Sequence, residues 1–271
     1  MKKIIFLLPV YNDWESLFKV LNEINSVIKD IQEYQFNCII VNDSSTIEKP
    51  KITKPKNFNS LKIIDMKENR GHARCNAFGL RYINSVESYD YVIVMDSDGE
   101  DRPFEIKSLI NKINEEPNVS VVAKRVKRSE GAIFQNLYRV HKLVTYIFTG
   151  KKINFGNYTC LTKKDIDILS DKPSLWSSFS GSVKKYLAKL NEVDSIRGLR
   201  YFGPSKMSLF NLAIHSFSII AVFKYTVFLR STFMIILLSF LTKTFGLIAI
   251  TFQVLIISFN LLIFIVSMRE N

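Results

Sequence analysis

Residues 207–268 constrain this chain most, because its excess of apolar residues is concentrated there. The segment is filled with Ile, Leu, Phe and Val, and its only charged residues are Lys224, Arg230 and Lys243. Its last part, Leu247 to Ser267, has 21 residues without a charge. A helix of that length covers the roughly 30 Å hydrocarbon core of a bilayer, so this part predicts a transmembrane helix.

A second apolar run, about residues 225–241, precedes that helix and carries Arg230 near its start, from where a long side chain can reach the interface. We expect two spans, about 225–241 and 247–267, paired as a hairpin in a membrane anchor of residues 224–271. Residues 207–223 would form an interfacial amphipathic helix. The alternative is one span plus a buried helix, because Arg230 weakens the first span.

The N-terminal apolar run does not fit a secretory signal. Ile4 to Val10 is only seven residues long and contains Pro9. We therefore expect residues 1–206 to stay in the cytoplasm, as part of a multi-pass membrane protein. Basic residues near the inner ends of the spans agree with the positive-inside bias for a hairpin with both ends inside. They are Lys206, Lys224, Arg230 and Arg269.

Five short runs rich in Ile and Val alternate with helical patterns in the first half of the chain. This alternation predicts an α/β domain with a mostly parallel sheet. The predicted strands are Ile4–Leu8, Cys38–Val41, Leu61–Met66, Tyr91–Met95 and Val119–Ala123. Further on we expect basic helices near 130–150, a polar turn at 154–157 and a helix around 177–190.

The strongest local signal is an acidic turn that directly follows the fourth predicted strand. Residues 96–101 read Asp-Ser-Asp-Gly-Glu-Asp, and ligands of open α/β sheets sit beyond the carboxyl ends of strands. Carboxylate oxygens select Mg²⁺ or Mn²⁺, which in turn binds a diphosphate. A calcium loop is excluded, because Asp101 and Lys107 stand where Gly and Glu are required. A phosphatase loop mismatches at Glu100, and a solvated acidic turn is the remaining alternative.

Two more polar motifs follow the first two predicted strands. They read Leu-Pro-Val-Tyr-Asn-Asp at 8–13 and Ile-Val-Asn-Asp-Ser-Ser at 40–45. With the acidic turn, in this order and at these spacings, they resemble the nucleotide-sugar-binding core of glycosyltransferase family 2, which has the GT-A fold. The resemblance covers about residues 1–125. It implies an enzyme, a hexosyltransferase of class EC 2.4, whose GT-A catalytic domain is residues 1–206.

The resemblance also implies roles for individual residues. Asp96 and Asp98 would hold the metal and the diphosphate, with Glu100 as a further metal ligand, and Asp43 would accept a hydrogen bond from the base. Residues 69–74 would close over the donor, unless they are only a helix N-terminus capped by Asn69. The predicted nucleotide-sugar-binding residues are Pro9, Tyr11, Asn12, Asp13, Asp43, Asn69, Gly71, Asp96 and Ser97.

Later segments resemble the polyprenyl-phosphate branch of the family, which includes dolichol-phosphate mannose synthases. They are Val-Ala-Lys-Arg at 122–125, Gly-Asn-Tyr at 156–158 and the stretch 200–206. Arginines of those relatives that match Arg125 and Arg200 contact the acceptor phosphate. The predicted catalytic residues are therefore Asp96, Asp98, Arg125 and Arg200, and the predicted acceptor-phosphate residues are Arg125, Arg139, Arg200 and Lys206. Where those relatives have the sequence Gly-Asp-Phe, this chain has Gly-Asn-Tyr, so Asn157 stands in the place of the aspartate. The resemblance therefore implies no particular sugar.

Basic residues are concentrated in one stretch of this chain, whose formal net charge is +12. Residues 121–152 contain eight Lys or Arg and one acid, Glu130. Such a cluster favours phosphate, and beside a membrane anchor it fits a lipid phosphate or membrane lipids better than nucleic acid. Two alternatives stay open: transfer to a saccharide or lipid hydroxyl, with Asp101 as the base, and a catalytically silent membrane partner. The sequence sets no expectation of oligomeric state.

Overall fold

The structure is a computed structural model that describes residues 1–127, 132–203 and 209–268. The chain divides into two compact units. The sheet unit comprises residues 1–130 and 154–206, and the helical unit comprises residues 131–153 and 207–271. Lys206 and Arg269, which the sequence placed near the membrane, lie outside the described residues.

The secondary structure alternates through the sheet unit and becomes helical at the end. The strands are β1 Lys2–Val10, β2 Tyr34–Asn42, β3 Ser60–Asp65, β4 Tyr91–Val94, β5 Val121–Lys127, β6 Phe155–Thr162 and β7 Asn191–Ile196. The helices are α1 Trp14–Ile28, α2 His72–Val86, α3 Ile106–Glu115, α4 Ala132–Thr149, α5 Lys163–Ser170, α6 Phe179–Tyr186, α7 Leu209–Ala221, α8 Lys224–Phe245 and α9 Leu247–Ser267.

The strands form one sheet in the order β3-β2-β1-β4-β6-β5-β7. All neighbouring pairs are parallel except those of β6, which runs antiparallel to both β4 and β5. The expected α/β domain with a mostly parallel sheet is therefore confirmed. The polar turn expected at 154–157 is wrong, because Phe155–Thr162 is a strand in the middle of the sheet.

The central strands of the sheet form the core, because they are buried on both faces. Residues Ile4 to Leu8 of β1 are completely buried. The apolar residues of α1 recur at helical spacing and its buried face includes Leu17, Leu21 and Ile24, as expected for a helix with one face on a sheet. Because β1, β2 and β4 are parallel, the loops after them meet at one edge of the sheet.

Helices α8 and α9 of the helical unit are long and apolar enough to cross a membrane, with mean hydropathies of 1.6 and 2.5. Only 11% of the most apolar 18-residue stretch of α8, and 17% of that of α9, is buried. Neither helix therefore has the surroundings of a buried core helix. A single residue, Gly246, joins them at a positive φ of 49°. Between them, Gln253 Nε2 donates to Ser239 Oγ over 3.0 Å.

Arg230 connects two helices within the helical unit. Its Nη1 atom donates to the carbonyl oxygen of Ile147 over 2.9 Å, near the end of α4. A Cβ atom on Gly150 would lie 2.7 Å from Arg230 Nη2, so the absence of a side chain there lets the guanidinium approach. A cation at a helix C-terminus is favourable, because the last carbonyls of a helix carry partial negative charge.

Candidate active site

In the acidic turn, residues 96–101, two side-chain carboxylates accept hydrogen bonds from the backbone of the turn itself. The backbone N–H of Asp96 donates to Asp101 Oδ2 over 2.9 Å, and that of Glu100 donates to Asp98 Oδ1 over 3.0 Å. Gly99 has a φ of 91°, which favours glycine. Asp101 is only 4% exposed. Hydrogen bonds within the turn therefore hold its backbone just after the end of β4, where Asp96 and Asp98 lie.

The segment after β7, residues 197–201, lies on this turn and is called the clamp here. The N–H of Gly198 donates to the Glu100 carbonyl over 2.8 Å, and that of Tyr201 donates to the Asp98 carbonyl over 2.9 Å. A Cβ atom on Gly198 would lie 2.8 Å from the backbone oxygen of Gly99. Glycine is therefore required at this point for the two backbones to pair.

Two arginines of the clamp bind the carboxylates of the turn. Arg200 Nη1 donates to Asp98 Oδ2 over 2.6 Å, and its Nη2 donates to Asp13 in the loop after β1. Arg197 pairs with Glu100. All five side chains are less than one fifth exposed. Arg200, predicted to bind the acceptor phosphate, therefore lies beside the predicted metal ligands.

Burial and mutual repulsion shift the pKa values of these carboxyl groups. Burial, followed by the charge of Asp96, raises the pKa of Asp98 to about 6. The same two causes raise the pKa of Asp101 well above its usual range. Burial also acts to raise the pKa of Asp96, but nearby positive groups and a hydrogen bond outweigh it, and that pKa is lowered. The groups that lower it are His72, Arg197, Asn157 and Arg125.

Strand β6 supplies the hydrogen bond to Asp96. Asn157 Nδ2 donates to Asp96 Oδ1 over 2.9 Å, and Asn157 is 9% exposed. One residue earlier, a Cβ atom on Gly156 would meet the guanidinium of Arg125, 2.7 Å from its Cζ atom. The predicted acceptor arginine and a predicted metal ligand thus both touch the first residues of β6.

Asp43 links the loop after β2 to the start of α2. Its Oδ1 accepts from the N–H of Arg70 over 2.7 Å, and its Oδ2 accepts from the N–H of Gly71 over 2.8 Å. The N-terminal capping residue of α2 is Gly71, which has no side chain with which to cap the helix. Capping by Asn69 is therefore wrong. The buried carboxylate of Asp43 holds residues 69–71 against the same edge of the sheet.

Asn12 fixes the loop after β1 to the loop after β2. It has a φ of 51°, and its Oδ1 accepts from the N–H groups of Thr46 and Ile47 over 2.8 and 3.0 Å. Nearby, Ser97 Oγ donates to the Pro9 carbonyl, while Tyr11 is 37% exposed. These contacts bring the motifs together. Whether Asn12 also touches a nucleotide stays a prediction.

The structure therefore gathers most of the predicted site residues at one edge of the sheet unit. Arg139 is an exposed residue of α4 and belongs to the helical unit. Arg197, Gly198 and Asn157 were not among the predicted site residues. A signal for Arg197 was present in the sequence, since it precedes Arg200 by three residues in an Arg-Gly-Leu-Arg stretch.

The carboxylates of the acidic turn suit a hard divalent cation, although two of them pair with arginines. Among residues 1–127, 132–203 and 209–268, no three His, Cys, Asp or Glu groups are placed to hold a metal ion. Glu100 faces Arg197 and one oxygen of Asp98 faces Arg200. Asp96 and Asp98 still offer carboxylate oxygens, and Mg²⁺ typically takes one or two carboxylates and completes its ligands with phosphate oxygens and water. These two residues fit such an ion.

Sequence comparison connects this site to known proteins. The sequence profile of glycosyl transferase family 2 matches residues 5–170. Undecaprenyl-phosphate 4-deoxy-4-formamido-L-arabinose transferase of Yersinia pestis (strain Pestoides F) is 24% identical over 267 residues, covering 97% of this chain and 78% of the relative. The corresponding Serratia proteamaculans (strain 568) protein is 26% identical over 217 residues, covering 78% and 65%. The chain spans about half, 49%, of an uncharacterised Methanocaldococcus jannaschii protein, MJ0544, with 26% identity.

Solved structures share the fold. Glucosyl-3-phosphoglycerate synthase from Mycobacterium tuberculosis, in complex with Mn²⁺, uridine-diphosphate-glucose and phosphoglyceric acid, aligns with a TM-score of 0.56 at 16% identity, covering 83% of this chain and 80% of that one. S. aureus TarS 1–349 aligns with a TM-score of 0.52 at 16% identity, covering 91% and 72%. At these identities the likeness concerns the fold alone, and it confirms the expected GT-A architecture.

Proposed function

Because the chain belongs to glycosyl transferase family 2, we propose that it moves a sugar from a nucleotide-diphosphate donor to a polyprenyl phosphate at a membrane. Residues 1–206 would form the catalytic domain, residues 207–223 an interfacial helix and residues 224–271 the anchor. The observation that carries the proposal is the ion pair between the acidic turn and Arg200, because it brings a carboxylate and a guanidinium, a group that can bind phosphate, together. The Yersinia and Serratia relatives are named as undecaprenyl-phosphate transferases, which supports the acceptor class.

The donor would bind across the loops that follow β1, β2 and β4. Pro9, Tyr11 and Asp43 would face the nucleoside, and Asp43 already fixes the segment before α2 that would close over it. Asp96 and Asp98 would hold Mg²⁺ or Mn²⁺. When bound, such an ion neutralises the negative charge that develops on the departing nucleoside diphosphate.

The acceptor phosphate would be bound by Arg125 and Arg200. A phosphate monoester has a second pKa near ~6 and is mostly dianionic at neutral pH, so it can attack the anomeric carbon without a general base. A phosphate oxygen forms the new bond to that carbon while the bond to the nucleoside diphosphate breaks, with inversion. Arg200 would exchange Asp98 or Asp13 for the phosphate, because both now occupy its guanidinium.

A hydroxyl acceptor is the second candidate, and it requires a base. Asp101 was the residue considered for this role. Asp101 is 4% exposed and its carboxylate accepts the Asp96 backbone N–H, which suits a structural role in the turn better than proton abstraction. This contact favours the phosphate acceptor.

The test is transfer of radiolabel from a panel of nucleotide sugars into lipid by membranes that contain the protein, with or without undecaprenyl phosphate, Mn²⁺ and chelator. We expect label in a mild-acid-labile lipid that depends on the acceptor and disappears with chelator. The Asp98→Ala variant serves as the control for background enzymes. Metal-dependent donor binding without lipid labelling would instead indicate another acceptor, and no donor binding would indicate a silent partner.

A further inference from the structure

We propose that Gly156 and Asn157, adjacent residues of β6, are positioning residues: Gly156 gives the Arg125 guanidinium its place, and Asn157 holds one oxygen of Asp96. The inference rests on the proposed function, because it takes Arg125 as an acceptor-binding group and Asp96 as a donor-side group. Neither Gly156 nor Asn157 would touch the reacting atoms. Strand β6 would thereby position both the acceptor-binding guanidinium of Arg125 and the donor-side carboxylate of Asp96.

The proposed role of Gly156 depends on its lack of a side chain. A Cβ atom there would lie 2.7 Å from Arg125 Cζ and would also overlap its Nη2 atom. The backbone of Gly156 is not in the left-handed region, so an alanine meets no backbone strain at this position. The three atoms nearest to that Cβ position all belong to the flexible side chain of Arg125. Alanine should therefore displace the guanidinium and leave the strand intact.

The backbone of Arg125 is fixed independently of its side chain. Its N–H donates to the Asn154 carbonyl over 2.9 Å, and the β5–β6 pairing shifts register between Val122 and Lys124. Such an irregularity re-aims the following side chain. The backbone of Arg125 is therefore fixed, and the space at Gly156 determines where its guanidinium lies.

Asn157 acts through its amide. The amide donates to Asp96 Oδ1 at any pH and adds no charge to a turn that contains four acidic side chains. One oxygen of Asp96 is thereby fixed, which leaves the other to face a cation. Ligand-orienting partners of this kind usually affect metal affinity by about 10- to 100-fold.

The first experiment uses Gly156→Ala, Arg125→Ala and the double variant in detergent-solubilised full-length protein. Gly156→Ala should raise the KM for undecaprenyl phosphate and weaken binding of farnesyl phosphate about tenfold, the cost of one charge-assisted hydrogen bond. The donor KM should not change. In the Arg125→Ala background Gly156→Ala should have no further effect, because its cost depends on the guanidinium. An effect that persists there, or that falls equally on donor and acceptor, would overturn the assignment.

The second experiment compares Asn157→Leu, which keeps the volume and loses the donor, with Asn157→Ser, which keeps a donor and loses volume. Binding of Mn²⁺ in the presence of UDP, measured by electron paramagnetic resonance, needs no turnover. The Leu variant should bind about tenfold more weakly, with the Ser variant between it and the unchanged protein. The reverse order would show that Asn157 only fills space. Farnesyl phosphate binding should not change in either variant.

The two proposals can fail separately. If the unchanged protein labels no polyprenyl phosphate under any condition, the proposed function fails, while the Mn²⁺ and farnesyl phosphate titrations still decide the positioning roles. Thermal unfolding of each variant supplies the folding control. A variant that loses binding together with its unfolding transition would count against positioning, since the proposal requires that the fold is retained.

Discussion

Arg200 binds two carboxylates at once, and they come from different loops. Asp13 follows β1 and Asp98 lies in the acidic turn, so the guanidinium joins the two sides of the candidate donor site. A metal ion on Asp98 would compete with this pair. Because such coupling is reciprocal, binding of a cation at the turn should release Arg200 for another anion, such as the acceptor phosphate.

Removal of this arginine should have opposite effects on metal binding and on transfer. We expect Arg200→Gln to bind Mn²⁺ several-fold more tightly in the absence of donor, since a competing cation is gone, and to lose most transfer to lipid. Electron paramagnetic resonance titration measures the first effect and the labelling assay the second. Lys189→Gln is a matched control, because it removes the same charge from a surface pair with Glu116. Equal Mn²⁺ affinity in Arg200→Gln and the unchanged protein would contradict the competition.

Asp101 offers a second test at the scale of one residue. Asp101→Asn keeps an oxygen that can accept the Asp96 N–H and removes a carboxyl group whose pKa burial and Asp96 raise. We expect this variant to fold with unchanged or higher thermal stability and to keep transfer within about threefold, because a base loss normally costs 10²–10⁴-fold. Loss of transfer on that larger scale, with normal donor binding, would restore the hydroxyl-acceptor mechanism.

The acidic residues of the site could be predicted from the sequence, whereas the residues that pair with them could not. Asp96 and Asp98 stand directly after an apolar strand, which is a local signal. Arg200, which binds Asp98, lies 102 residues away; the resemblance named it, but only as an acceptor ligand. The Asn157 contact depends in the same way on the placement of β6 beside β4.

At the scale of elements, strands β1 to β5 were predictable, whereas β6 and β7 were not. Parallel strands buried on both faces read as continuous apolar runs. Strand β6 begins Phe-Gly-Asn, a composition that favours a turn, and β7 reads Asn-Glu-Val-Asp-Ser-Ile, with polar residues on most positions. Their strand structure is imposed by neighbours in the sheet, a tertiary effect that local propensity does not contain.

The contact between α4 and α8 gives a prediction at this scale. Arg230→Leu should increase hydrogen exchange at the end of α4, because Ile147 loses its partner, although the change makes α8 more apolar. The measurement is exchange of the backbone amides near Gly150 in detergent or nanodiscs. Lys243→Leu is the control: it removes the same charge from the last turn of α8. Equal exchange in both variants would show that Arg230 does not hold α4.

At the scale of the whole molecule, the proposed topology can be tested with single cysteines. The three native cysteines, Cys38, Cys75 and Cys160, are buried, so an introduced thiol should dominate labelling. Thr244, at the junction of α8 and α9, and Lys29, at the end of α1, are both exposed. In intact cells an impermeant maleimide should label Thr244→Cys, and it should label Lys29→Cys only after permeabilisation. Labelling of both or neither in intact cells would contradict a hairpin with the sheet unit inside.

The position of β6 has a consequence for the order in which a growing polypeptide can complete its sheet. Strand β6 lies between β4 and β5 but follows both in the sequence, so neither of them has that neighbour until residue 162 has left the ribosome. Nascent chains arrested before and after this residue should differ in resistance to protease. Since β7 ends at Ile196 and α8 begins at Lys224, every strand of the sheet emerges from the ribosome before either apolar span does. Synthesis itself would thus present the strands that carry the candidate site for folding before the apolar spans reach the membrane.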